Sequence, residues 1–173
     1  MFLNMRKKIK KLMTKMTHQE FKRKKTPYPQ DFLEKFVVGR TLPYGRGDGY
    51  CFLACILYGI AELSGISIRD MIEKIKDSGD LRFFNKKNGF VSSIYELSYF
   101  VTDGKYPINL DCRVESRIEA KQVARKLGRP YFYIAKFPMH YVYFDKFGWY
   151  INPYENSVVD ERNIIGWRVL SAR

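Results

Sequence analysis

The stretch Tyr44-Gly45-Arg46-Gly47-Asp48-Gly49-Tyr50-Cys51-Phe52-Leu53-Ala54-Cys55-Ile56-Leu57-Tyr58-Gly59-Ile60-Ala61-Glu62-Leu63 changes character at a single residue. Up to Tyr50 it is a glycine-rich loop; from Cys51 it is an apolar run long enough for a buried helix. A thiol at that junction sits at a helix N-terminus, whose exposed N–H groups favour the thiolate. The glycines let backbone amides approach a substrate carbonyl and hold the oxyanion formed on attack. Asp48, Gly49 and Tyr50 are the candidate loop and oxyanion residues, with Asp48 orienting the loop or helping to build the site. The plainer alternative is that Cys51 packs as a small apolar side chain.

Downstream, residues 67–76 read as an amphipathic helix with Ile68, Met71, Ile72 and Ile75 on one side. Residues 92–100 suit a helix and 108–112 a short strand. Ser116 to Leu127 is a helix closed by Gly128, followed by Pro130. Three strands then follow at 131–136, 140–144 and 149–152, the last two joined by the turn Asp145-Lys146-Phe147-Gly148. Helices first and an antiparallel sheet after them make an α+β domain. Upstream, Thr26-Pro27-Tyr28-Pro29 reads as a linker, so the expected domain spans 29–173 behind an extension at 1–28. Residues 31–38 suit either a short helix or a lead-in strand.

His140 lies at the start of a predicted strand and Asn152 falls twelve residues later, across the hairpin. With Lys146-Phe147-Gly148 as a three-residue turn and Gly148 left-handed, Asp145 faces Trp149. His140 and Asn152 then share one sheet face as diagonal neighbours. Asn152 can accept a hydrogen bond from one imidazole nitrogen and leave the other for Cys51. A one-residue slip in register would separate them.

Gly-Asp-Gly-Tyr-Cys51 followed by an apolar helix resembles the nucleophile segment of papain-like cysteine peptidases. Leu127-Gly-Arg-Pro130, Met139-His140-Tyr-Val-Tyr-Phe and Tyr150-Ile-Asn152-Pro153 resemble the second half of the bacteriocin-leader-processing, double-glycine type. The resemblance covers residues 44–76 and 120–154. It implies a papain-like fold, with the nucleophile at a helix start and the helical part packed on a C-terminal antiparallel sheet. It also implies Cys51 as nucleophile, His140 as general base and Asn152 as the residue orienting the histidine. That type places a glutamine ahead of its cysteine, and residues 39–50 contain none. Gly47-Asp48-Gly49 is similar instead to the Asp-Gly-Asn-Cys loop of ovarian-tumour-type deubiquitinases, with Tyr50 in place of the asparagine. Cys55 and Cys112 read as structural.

Charge divides the chain unevenly. Residues 1–25 hold ten basic residues against one acid, so they carry nine of the thirteen net positive charges. Phe2, Met5, Ile9, Leu12 and Met16 form one apolar helical stripe among lysines. Lys7, Lys8, Lys10, Lys11, Lys22, Arg23, Lys24 and Lys25 are the candidate contacts to nucleic acid or an anionic surface. A solvated basic arm and a segment docking on a partner helix are the other readings. Three cysteines argue against a disulfide framework, and with His18 and His140 they make no zinc spacing. Neither metal nor cofactor is expected, and no run reaches the length of a membrane span. The basic N-terminus lacks the apolar stretch of a signal peptide, so a cytoplasmic or virion-associated location is expected. Two functions emerge: thiol-dependent hydrolysis of a peptide or isopeptide bond in a protein substrate, or an inactive peptidase-fold protein. The second would use its tail to bind nucleic acid or a partner, as in a phage or viral particle.

Overall fold

A computed structural model of the chain describes residues 50–138, 140–151 and 160–172. The basic extension, the lead-in segment 31–38 and the Thr26–Pro29 linker therefore lie outside the described residues, as do Asp48, Gly49 and Asn152. Among the described residues the architecture is α+β, with three helices preceding the first strand and a fourth between the first two strands.

Helix α1 runs Tyr50–Ser64 and buries ten of its 15 residues, as its unbroken apolar composition requires. It ends where Gly65 turns left-handed (φ +73°) and its N–H bonds the Ala61 carbonyl at 2.9 Å. Helix α2 (Ile68–Asp77) is capped by the Ser67 hydroxyl, which accepts from the Asp70 N–H, and turns Met71, Ile72 and Ile75 inward. Helix α3 (Ile94–Val101) has an equivalent cap in Ser93. Buried Ser98 ties it to the sheet by accepting the Ile108 N–H at 2.7 Å.

Strand β1 (Ile108–Val114) leads into α4 (Arg117–Leu127), which opens on a capping box formed by Ser116 and Glu119 and closes on left-handed Gly128 (φ +60°). Strands β2 (Tyr131–Phe137), β3 (His140–Phe144) and β4 (Tyr150–Ile151) follow. The last is β5 (Gly166–Ala172). The sheet order is β1-β5-β2-β3-β4, and every pairing is antiparallel.

Strand β5 is the main departure from the sequence reading, which ended its strands at 152. It is central, bonded to β1 on one side and β2 on the other. Gly166-Trp-Arg-Val-Leu-Ser-Ala places a buried serine and an arginine among its apolar residues, so alternation alone does not mark it. The arginine is accommodated because Asp111 on β1 accepts a bidentate ion pair from Arg168, its Nε bond measuring 2.9 Å. Helix α4 falls between β1 and β2, as the predicted strand at 108–112 and helix at 116–127 place it, and covers the opposite face of the sheet from α1.

Alternation along each strand sorts the core into two layers. Phe132, Ile134, Tyr143, Ile151 and Leu170 pack with α1, α2 and α3. Tyr133, Ala135, Val142, Phe144, Trp167 and Val169 pack with Ala120 and Ala124 of α4. Gly59 lets α1 approach the sheet closely: a Cβ there would stand 2.2 Å from the Phe132 ring.

Candidate active site

Cys51 is the second residue of α1, within one position of the helix start read from the sequence. What holds that start is the residue before it. Tyr50 is fully buried, and its hydroxyl donates to the Lys86 carbonyl. Its ring rests over Gly89, where φ is +71° and a Cβ would come within 2.6 Å of the ring. The 85–90 loop thus anchors the helix start, closed by the Gly89 N–H on the Asn85 carbonyl at 2.7 Å.

The residue after Cys51 joins the helix to the sheet. The Phe52 ring lies 4.8 Å from that of Tyr141 on β3, and the Arg168 guanidinium sits 4.4 Å over the same phenyl ring. Phe52 is therefore clamped between β3 and β5, with an aromatic face toward a cation. Cys51 and His140 are each the immediate chain neighbour of one member of the Phe52–Tyr141 pair. The helix start and the start of β3 meet, which any pairing of the two residues requires.

The side-chain faces add a constraint. Tyr141 and Tyr143 of β3 pack toward α1, whereas Val142 and Phe144 pack toward α4. Strict alternation groups His140 with Val142 and Phe144. His140 is, however, the end residue of its strand, half-buried, with its ring 6.4 Å from that of Phe137 across the β2–β3 pair.

The hairpin expected between His140 and Asn152 has the predicted turn. The Asp145 N–H bonds the Trp149 carbonyl at 2.8 Å, the Gly148 N–H bonds the Asp145 carbonyl at 3.0 Å, and Gly148 has φ +84°. Phe144 faces Tyr150 and Tyr143 faces Ile151. Buried Asp145 accepts the Phe147 and Trp149 N–H groups, both at 2.9 Å, which fixes the loop from inside.

The three cysteines form no disulfide, and their surroundings differ. Cys51 is 3% exposed and Cys55, one turn along α1, is fully buried. Burial pushes the Cys55 thiol well above its ordinary range, and negative charge at Cys51 would push it further the same way. Cys55 is thus held as a neutral core thiol. Cys112 lies half-buried on β1, against the α4 layer. Among the described residues no three His, Cys, Asp or Glu side chains gather as a metal site. Nor is any helix there long and apolar enough to cross a membrane.

Several residues that build this site went unread in the sequence. Phe52 and Tyr141 look like ordinary core aromatics until the helix and strand are docked. Lys86 and Gly89 act over a separation of more than thirty residues, and Arg168 lies on the unread strand. The only local signal was position: Phe52 and Tyr141 adjoin the two residues singled out for catalysis. No family model, curated protein or solved structure matches the chain.

Proposed function

We propose that the protein is a papain-like thiol hydrolase acting on a peptide or isopeptide bond, with Cys51 as nucleophile, His140 as general base and Asn152 as the residue orienting the imidazole. The observation that carries this reading is the Phe52–Tyr141 contact, which brings the helix start bearing Cys51 against the strand start bearing His140. In the proposed cycle the Cys51 thiolate attacks the carbonyl carbon, and loop amides around Asp48, Gly49 and Tyr50 hold the oxyanion. The imidazolium of His140 gives its proton to the leaving amine, and water then releases the acyl group from sulfur. The helix N-terminus favours the thiolate in the resting state. The neutral Cys55 thiol adds no opposing charge nearby.

Two observations favour a second reading, an inactive peptidase-fold protein that binds a partner or nucleic acid through residues 1–25. Cys51 is buried, and β3 alternation groups His140 with the α4 layer. Catalysis requires the His140 ring to turn at the strand end toward Cys51, and labelling decides whether it does. Native protein is treated with iodoacetamide from about pH 4 to about pH 9, reading each cysteine by mass spectrometry, alongside His140→Ala. The peptidase reading expects selective Cys51 alkylation well below pH 8, lost in the variant. Alkylation of Cys51 no faster than that of Cys112 sinks it and leaves the basic extension as the functional part.

A further inference from the structure

The opposite side of the sheet carries a second feature that the proposed chemistry does not use. Between α4 and the β3–β4 turn lies a cavity of about 90 Å³. Its lining includes Arg117, Lys121 and Lys146, and none of its lining residues is acidic. Its aromatic walls are Tyr133, Phe144, Phe147 and Trp167. Trp167 and Tyr133 are buried and packed edge to face at 6.1 Å, so they form a rigid floor. Phe147, at the turn tip, is 71% exposed, with the Lys146 ammonium 5.1 Å from its ring centroid.

The cations are arrayed in order. Arg117, Lys121 and Arg125 recur every fourth residue, which lines them along one side of α4 at steps of about 6 Å. That step suits consecutive phosphates of an extended single strand. Arg117 and Lys121 of this row line the cavity together with Tyr133 and Trp167. Arg117 sits 5.9 Å over Trp167 and is held at the rim by Glu161 at 2.8 Å. Helix α4 contributes four basic side chains against Glu119, and Glu119 is engaged in the capping box. A small cationic cavity takes a single oxyanion, and an exposed phenyl ring beside it offers a stacking surface for a planar base.

We propose that this cleft binds single-stranded nucleic acid, seating a backbone phosphate among Arg117, Lys121 and Lys146 and stacking a base on Phe147. The site is independent of the Cys51 reading and separate from residues 1–25. An acidic protein surface would satisfy the cations but offers no planar base to stack on the exposed face of Phe147.

The test uses the full chain and a fluorescent oligothymidylate of about twenty nucleotides at moderate salt. Lys121→Glu/Lys146→Glu should weaken binding by about tenfold or more, and Phe147→Ser by several-fold. Lys87→Glu/Lys105→Glu makes the same charge change on exposed residues away from the cleft and should cost less than about twofold. Thermal melting of each variant confirms that it is folded. Ultraviolet cross-linking with a bromouracil-substituted strand, mapped by mass spectrometry, should mark Phe147 or its neighbours. Equal losses in the two double variants overturn the proposal, as do cross-links confined to residues 1–25. Equal binding of a polyglutamate peptide overturns it in favour of an acidic protein partner. Displacement of the oligonucleotide by inorganic phosphate at matched ionic strength overturns it in favour of a free phosphate ligand.

Discussion

The two faces of the sheet are covered by helices of opposite kinds. Helix α1 sinks bulky apolar side chains into the sheet, while α4 packs on it through buried Ala120 and Ala124, flanked by half-buried Val123 and Leu127, and turns basic residues to the rim. The first arrangement buries ten of the fifteen helix residues, Tyr50 and Cys51 at the helix start included. On the second face these contacts let α4 lie close, and charged and aromatic side chains meet in a cavity at its rim. Small residues set both approaches. Gly59 makes room for the Phe132 ring, and buried Ala120 and Ala124 bring α4 onto the sheet.

If the α1 face is the structural core, its loss should dominate stability. Phe132→Ala removes a fully buried ring packed at 5.9 Å against Tyr143, and should cost about 3–5 kcal/mol in urea unfolding. A cost comparable to an ordinary surface substitution would show that the layer under α1 is loosely packed. Ala124→Leu tests the other face by enlargement. It should destabilise by about 1–3 kcal/mol and push α4 off the sheet, reported by increased fluorescence change at Trp167. A neutral result would mean that this layer has slack, and the close approach of α4 would lose its explanation.

The smallest effect distinguishes the faces by pH. Burial raises the Cys55 thiol and the Tyr58 and Tyr143 hydroxyls on the α1 side above their ordinary values, and the Tyr133 hydroxyl on the α4 side. A raised folded value means that the unfolded chain ionises first as pH rises. Stability should be level below the ordinary thiol value of about 9 and fall gradually above it, through the tyrosine range. Cys55→Ala should remove the earliest part of that fall, measured as melting temperature between about pH 8 and pH 10.5. A melting temperature that rises across this range would contradict the burial of these groups.

Much of the chain was legible before folding. The helix starts near Cys51, Ser67 and Ser116, the closing glycine at Gly128 and the three-residue turn at Gly148 all follow from local rules, and the structure has each of them. Strand β3 falls at 140–144 as its alternation predicts. Strand β5 did not announce itself, because an arginine and a buried serine interrupt its apolar pattern. Their partners, Asp111 and the Pro130 carbonyl, are distant in sequence. The basic cleft escaped for a related reason: Lys121 and Lys146 lie on different elements, and each alone reads as a solvated lysine.

Sequence by itself determined where helices and turns begin and end, because capping, glycine conformation and apolar periodicity act over a few residues. It also singled out Cys51 and His140 as the chemically interesting side chains. Tertiary structure alone decided that α1 and β3 meet through Phe52 and Tyr141, that β5 inserts between β1 and β2, and which face each strand residue takes. Those outcomes depend on how surfaces far apart in the chain fit together, and single-residue alternation gives a face only once the register and the covering helix are set.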